Sequence, residues 1–178
     1  MTAVGISIRR INIDHAGLYR ALMLRAYSEH ETAYVSSFEE RASRPIEWWH
    51  RRLSDPTSLT LGAFDASDAL VGTARLELLQ RRRERHKVDL VSLYVMKDHA
   101  GHGIGRRLVD EALSEARKLQ GIETMLTLVT GENLPALRLL SKVGFIEYGR
   151  EPKAVKLSDR YIDALLFWRP VSADYVAR

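Results

Sequence analysis

The chain has no cysteine among its 178 residues. That excludes disulfides, thiolate metal sites and a cysteine nucleophile. No metal is expected, and a reducing, cytoplasmic setting fits. Long apolar runs are missing as well: the stretch 16–27 is broken by Arg20 and Arg25, so no membrane span is expected. Arg9 and Arg10 follow so few apolar residues that the N-terminus does not read as a signal peptide. Repeats, low-complexity tracts and linkers are absent, and one domain over 1–178 is the expectation. A broad charge surplus is lacking too. The net charge of +4 comes from 27 basic and 23 acidic residues. The segment Arg81 to Lys87 holds five Lys or Arg and one Glu; setting it aside leaves 22 of each sign. The surplus is a local patch rather than a basic face, so nucleic acid is not an expected partner.

What is present suits a folded globule. With 46% hydrophobic and 28% charged residues, disorder as the main state is excluded. A chain of this size buries on the order of 70% of its unfolded surface. Val4 to Ile11 alternates weakly and predicts a first strand. Asn12 or Asp14 can cap a following helix, whose apolar stripe is Leu18, Ala21, Leu22 and Ala26. Ser36 to Arg44 is polar and irregular. Pro45 opens a short helix through Trp48, Trp49 and Leu53. Strands are predicted over Ser58 to Phe64, Leu70 to Leu79 and Val88 to Met96. A helix spans about Gly103 to Gln120, a strand Ile122 to Val129, and a helix Asn133 to Val143. The last strands are Phe145 to Arg150 and Tyr161 to Trp168. This β-α-α-β-β-β-α-β-α-β-β order predicts an α/β (α+β) fold, a mixed sheet flanked by helices.

The most informative segment is Leu93 to Arg107, LYVMKDHAGHGIGRR. A strand ends, Gly101, Gly103 and Gly105 follow, and an amphipathic helix begins. The first N–H groups of a helix have no intrahelical partner and carry partial positive charge. With glycines allowing close approach, such a turn can hold a pyrophosphate on backbone donors. The dinucleotide fingerprint does not fit, because position 106 is Arg. The phosphate loop of nucleotide triphosphatases does not fit either, because Gly-Lys-Ser/Thr is absent.

These residues resemble the GNAT superfamily of N-acetyltransferases. In that family an apolar triplet ends a central strand, and Arg/Gln-x-x-Gly-x-Gly/Ala runs into a helix. Here the triplet is Leu93-Tyr94-Val95 and the glycines match at Gly103 and Gly105, with Ala100 at the Arg/Gln position. A second match is Asn133, Ala136, Leu139 and Gly144-Phe145, with Leu140 where Tyr is the rule. Tyr161-Ile162-Asp163 is similar to a closing-strand pattern of small-molecule members. The resemblance covers the chain from about Leu70 to Trp168, and the first 60 residues agree only loosely. It implies a mostly antiparallel central sheet and acetyl-CoA as cosubstrate, lying where the strand at Leu93 to Val95 splays from the strand at Thr124 to Val129. Leu93, Tyr94 and Val95 would pair with the pantetheine arm. Gly101, His102, Gly103, Ile104, Gly105 and Arg106 would hold the pyrophosphate. Asn133 would lie near the cofactor, although it also reads as an N-cap.

The implied reaction is acetyl transfer to a primary amine of a small molecule or protein. A protonated amine is no nucleophile, so a base is needed, and the Val95 N–H is a candidate oxyanion donor. Strand alternation places Asp89, Val91, Leu93 and Val95 on one face, which makes Asp89 the candidate base. The competing reading pairs Asp89 with Arg85 or Lys87. Glu77 and His86 are weaker candidates. Leu140 cannot protonate a thiolate, which keeps open a non-catalytic acyl-CoA-binding sensor. Ser141 points elsewhere on its helix, while Tyr148 and Tyr161 are hydroxyls on later strands. Trp48 and Trp49 read first as core, and Arg81 to Arg85 as a solvated hairpin tip. A homodimer stays open, and the acceptor's identity is not readable.

Overall fold

The computed structural model describes residues 5–172. Strand β1 (Ser7–Ile11) leads into α1 (Ala16–Glu29), the short α2 (Phe38–Ala42) and α3 (Ile46–Ser54). Strands β2 (Ser58–Phe64), β3 (Leu70–Leu78) and β4 (Lys87–Val95) come next. They are followed by α4 (Ile104–Lys118), β5 (Thr124–Thr130), α5 (Leu134–Lys142), β6 (Ile146–Lys156) and β7 (Tyr161–Pro170). The seven strands make one sheet, ordered β1-β2-β3-β4-β5-β7-β6. Every neighbouring pair is antiparallel except β4–β5. This is the mixed, mostly antiparallel sheet the element order predicts.

The N-terminal third departs from expectation in detail. The first strand begins at Ser7, and Val4 lies outside the described residues. Asn12 does cap a helical turn, its Oδ1 accepting from Asp14 N at 3.1 Å. The buried face of α1 is Ala16, Tyr19, Leu22, Met23, Ala26 and Tyr27. Leu18 is 51% exposed and Ala21 is exposed as well. The stripe is rotated because the aromatics Tyr19 and Tyr27 bury more surface than a Leu and an Ala. The segment taken as irregular contains α2, started by a capping box between Ser37 and Glu40.

Alternate residues of β2 and β3 serve two cores. On one side, α4 and α5 cover Leu61, Ala63, Ala74, Leu76, Val88, Leu90 and Met125. Ile104, Leu108 and Leu113 of α4 are each at most 2% exposed, and each contributes ~1.5–3 kcal/mol. That is enough to anchor the helix whose start carries the glycine turn. On the other side, α1 and α3 bury Tyr19, Met23, Trp49, Phe64 and Tyr94. The edge strand β6 is blunted against pairing by two register breaks, by Pro152 and by Lys153 with φ of 54°.

Candidate active site

The parallel pair β4–β5 is short. It joins Lys87 to Thr124, Val88 to Met125 and Asp89 to Leu126. One residue on, Thr127 Oγ1 donates to Leu90 O at 2.8 Å. Beyond that point β4 continues along β3 to Val95, and β5 along β7 to Thr130. A wedge opens between them, with Asp89 and Leu126 at its apex.

At the same place β4 changes phase. Thr73 faces Tyr94 and Arg75 faces Val91, so Ser92 and Leu93 together oppose Ala74. This is a bulge, and Ser92 takes a φ of 53° there. The expected common face of Asp89, Val91, Leu93 and Val95 is therefore wrong. Val88 and Leu90 belong to the core under α4, as do Leu93 and Val95, whereas Tyr94 belongs to the core under α1. Asp89 and Val91 stand on the α3 side, level with Glu77 and Arg75 of β3. The extra residue turns the later part of the strand over.

The α4 end of the wedge carries the glycine turn. Gly101 and Gly103 have φ of 81° and 79°, a conformation that suits glycine. A Cβ built on either would meet nothing within 4 Å. The turn thus offers open space in front of the first N–H groups of a 15-residue helix. Gly105 works differently: its Cβ would lie 3.2 Å from Leu139 Cδ2, so its absence lets α4 and α5 approach. Ile104 is buried in the core, leaving only its backbone at the turn. His102 is exposed, 3.4 Å from His99 O through Nδ1. Arg106 is exposed and 3.6 Å from Asp110, and Arg107 donates to Ile6 O. The Tyr94 side chain points away, its hydroxyl donating to Glu29 Oε2 at 2.8 Å. Main-chain N–H groups fit an anionic pyrophosphate here; among the predicted side chains, Arg106 is the cation nearest in sequence.

The α3 side of the apex is polar. Asp89 is half-buried and makes no ion pair among the described residues, so the competing pairing with Arg85 or Lys87 is not formed. Burial pushes its carboxyl up, the Glu77 and Glu84 carboxylates add to this, and Lys87 opposes it. Beside it lies a cleft of about 410 Å³ walled by Trp48, Arg51, Arg52, Asp55, Arg75 and Glu77. Arg75, 2% exposed, donates from Nε to Glu77 at 2.8 Å and from Nη1 to Arg52 O and Thr60 Oγ1. Arg52 lies 3.2 Å from Glu77 and 3.4 Å from Ser92 Oγ at the bulge. The Tyr34 hydroxyl lies 3.5 Å from Leu93 O. Sequence reasoning missed Arg52, Arg75 and Tyr34. An Arg in a strand otherwise free of charge from Leu70 to Leu76 was the one visible signal; a loop tyrosine gives none.

The remaining candidates separate. Leu140 is 1% exposed and sits in the core. Asn133 caps α5, its Oδ1 accepting from Ala136 N. Tyr148 is exposed on the edge strand β6, and the exposed Tyr161 ring lies 5.2 Å from Lys153 Nζ. His86 acts through its carbonyl, which accepts from Glu123 N and Thr124 N. The Trp pair divides, Trp49 into the core and Trp48 to the cleft wall. Arg81, Arg82, Arg83 and Arg85 are exposed on the β3–β4 connection. No helix among the described residues is long and apolar enough to cross a membrane.

Comparison with known proteins identifies the family. Residues 23–145 match the model of the acetyltransferase (GNAT) family. The chain is 30% identical over 110 residues to YwnH of Bacillus subtilis (strain 168), which carries a phosphinothricin acetyltransferase name; the match covers 62% of this chain and 67% of that protein. It is 33% identical over 79 residues to the L-amino acid N-acyltransferase MnaT of Escherichia coli (strain K12), covering 44% and 45%. Among solved structures it is similar to yncA of Salmonella typhimurium, determined with acetyl-CoA. The TM-score is 0.76 at 20% identity, over 97% of this chain and 98% of that one.

Proposed function

The chain belongs to the GNAT acetyltransferase family, and we propose that it moves an acetyl group from acetyl-CoA to a primary amine that approaches from the α3 side of the wedge. The observation that carries this reading is the position of Asp89: an unpaired, half-buried carboxylate at the apex where β4 and β5 part.

Acetyl-CoA supplies the acyl group as an activated thioester. The open glycine turn supports a pyrophosphate site on the N–H groups around Gly101 to Arg106. The backbone of Leu93 and Val95, past the last β4–β5 pair, supports a site for the pantetheine arm, with Asn133 near its far wall. Asp89 takes the proton from the amine, directly or through a water. Its raised pKa brings it closer to neutrality and makes it a stronger base than an ordinary aspartate. Leu140 holds the core and takes no part in proton transfer. The bulge turns the Leu93 and Val95 side chains to the face opposite Asp89, which supports an approach of the amine to the acyl group through the opening between the strands.

The test is release of free coenzyme A thiol from acetyl-CoA across an amine panel, alongside the melting shift with acetyl-CoA alone. A melting shift without thiol release from any amine refutes the transferase reading and favours a binding module. Absence of a shift at millimolar acetyl-CoA refutes the donor site itself.

A further inference from the structure

We infer that the Tyr34 hydroxyl is the hydrogen-bond donor that meets the departing sulfur of the thioester, a further catalytic residue supplied by the segment between α1 and α2. This rests on the transferase reading above and adds to it the group that answers the leaving charge.

Tyr34 reaches the wedge from the α1 side. Met96 N donates to Val71 O of β3 at 2.9 Å, so alternation turns the backbone groups of Val95 and Leu93 away from β3 and into the wedge. The Tyr34 hydroxyl donates to one of these groups, Leu93 O, at 3.5 Å. The helical turn Glu31–Ala33 just before it packs against β5. The segment 31–34 therefore bridges β4 and β5 across the wedge, on the face that carries Asp89. The half-buried Tyr34 ring is fixed by packing on the core under α1. It also stands edge-on to Tyr27, with ring centroids 4.9 Å apart.

The proton on this hydroxyl is loosely held. Thr127 Oγ1 donates to Leu90 O at 2.8 Å, and the Tyr94 hydroxyl donates to Glu29 at 2.8 Å; both are committed. The Tyr34 contact is at the outer limit of a hydrogen bond, so its O–H turns to a better acceptor at little cost. The reaction creates one. As the amine nitrogen bonds to the acyl carbon, the C–S bond breaks and its electron pair stays on sulfur. An ordinary thiol ionises at about 8.5 and a tyrosine at about 10. Burial pushes the Tyr34 hydroxyl further up, and Tyr27 and Tyr94 add to this. Full proton transfer from Tyr34 to the sulfur is therefore uphill. The hydroxyl keeps its proton and stabilises the growing charge as a fixed donor. The amine proton goes to Asp89, and the thiolate takes its own proton from solvent after release.

The experiment compares wild type with Tyr34→Phe, which keeps the ring and removes the donor. Ser92→Gly is the control: it removes the other hydroxyl at the bulge and suits the positive φ there. Thiolate absorbance of bound coenzyme A is followed across a pH series, with desulfo-coenzyme A as the blank. Turnover is measured with acetyl-CoA and the amine panel. The bound thiol is expected to ionise about one to two pH units lower in wild type than in Tyr34→Phe, the equivalent of one charged hydrogen bond. Tyr34→Phe should also lower kcat ~10- to 100-fold, with KM for acetyl-CoA nearly unchanged. Ser92→Gly should ionise the thiol as wild type does. Should Tyr34→Phe fail to fold, Tyr34→Met carries the same comparison. The inference is overturned if the thiol ionises at the same pH with and without the Tyr34 hydroxyl, if the loss lies in KM alone, or if Ser92→Gly moves the thiol and Tyr34→Phe does not. A Tyr34-dependent ionisation with no amine acetylated keeps the donor and removes the transferase reading. Acetylation with an ionisation indifferent to Tyr34 does the reverse.

Discussion

The two faces of this sheet differ in how they treat polar groups. Under α4 and α5 the buried side chains are almost all apolar, and the chemistry offered to a ligand is main-chain N–H at the start of α4. Under α3 the sheet buries Thr60, Thr73 and Arg75 and sets Glu77 beside Asp89. Burying charge and placing like charges on neighbouring strands opposes folding. A face that carries both is shaped by its task, whereas the apolar face is shaped by packing. Backbone donors suffice for a ligand part common to every turnover; side chains are needed where one amine is told from another.

Asp89→Asn tests this contrast most severely. Turnover is expected to fall ~10²–10⁴-fold, with acetyl-CoA affinity nearly unchanged and partial recovery at higher pH as free amine increases. Stability should move the other way. The Asp89 carboxyl is pushed up in the fold, so the folded state binds its proton more tightly than the unfolded state does. Its contribution is favourable at low pH and is lost as pH rises above the ordinary aspartate range, through the raised value. At neutral pH the charge opposes folding, and the Asn variant should melt at a higher temperature than wild type. A lower melting temperature with normal turnover would show a strand-supporting residue instead.

Leu140→Ala is the counterpart on the apolar face. The expected loss is ~2–5 kcal/mol of stability, read by urea unfolding, with turnover of the folded fraction largely kept. A variant that stays folded but loses turnover would give Leu140 a chemical role. Gly103→Val should cost ~1–2 kcal/mol through the left-handed φ alone, since no protein atom lies near the new Cβ. It should also greatly weaken the melting shift with acetyl-CoA. A full shift would remove the turn from the donor site.

The smallest effect is expected at Glu115, which ties α4 to β1. This buried carboxylate is paired with Arg10 and with Lys118. Burial pushes its pKa up, but the Lys118 and Arg10 hydrogen bonds outweigh that and hold it below the usual range. Its stabilisation is present above the ordinary glutamate range and is lost as pH falls through the lowered value. Glu115→Gln should cost about 1 kcal/mol at neutral pH and flatten the acid limb of a stability–pH curve. An unchanged acid limb would show that the pairs contribute nothing.

The apolar face was legible in the sequence because its signals are local and periodic. Ile104, Leu108 and Ala112 recur at helical spacing, the glycines mark the turn, and Ser58 to Phe64 is a strand with the predicted ends. The strand face proposed for Asp89, Val91, Leu93 and Val95 does not continue beyond Val91. Alternation assumes an unbroken strand, and nothing in Val-Ser-Leu-Tyr announces that Ser92 takes a positive φ. The Arg75, Arg52 and Glu77 cluster stayed hidden for another reason. Arg75 and Glu77 are neighbours on one strand, but Arg52 joins them from α3 through tertiary packing, which a sequence read segment by segment does not contain.

The short parallel contact between β4 and β5 has a mechanical consequence. With three paired positions and then a wedge, the one sheet is joined across its centre over a short span. A ligand arm with amide groups of its own, lying in the wedge, would act as an eighth strand and close the gap. Occupancy would then register far from the chemistry, as slowed amide exchange along the inner edges of β4 and β5 and as a stiffer relation between the α1–α3 half and the β6–β7 half.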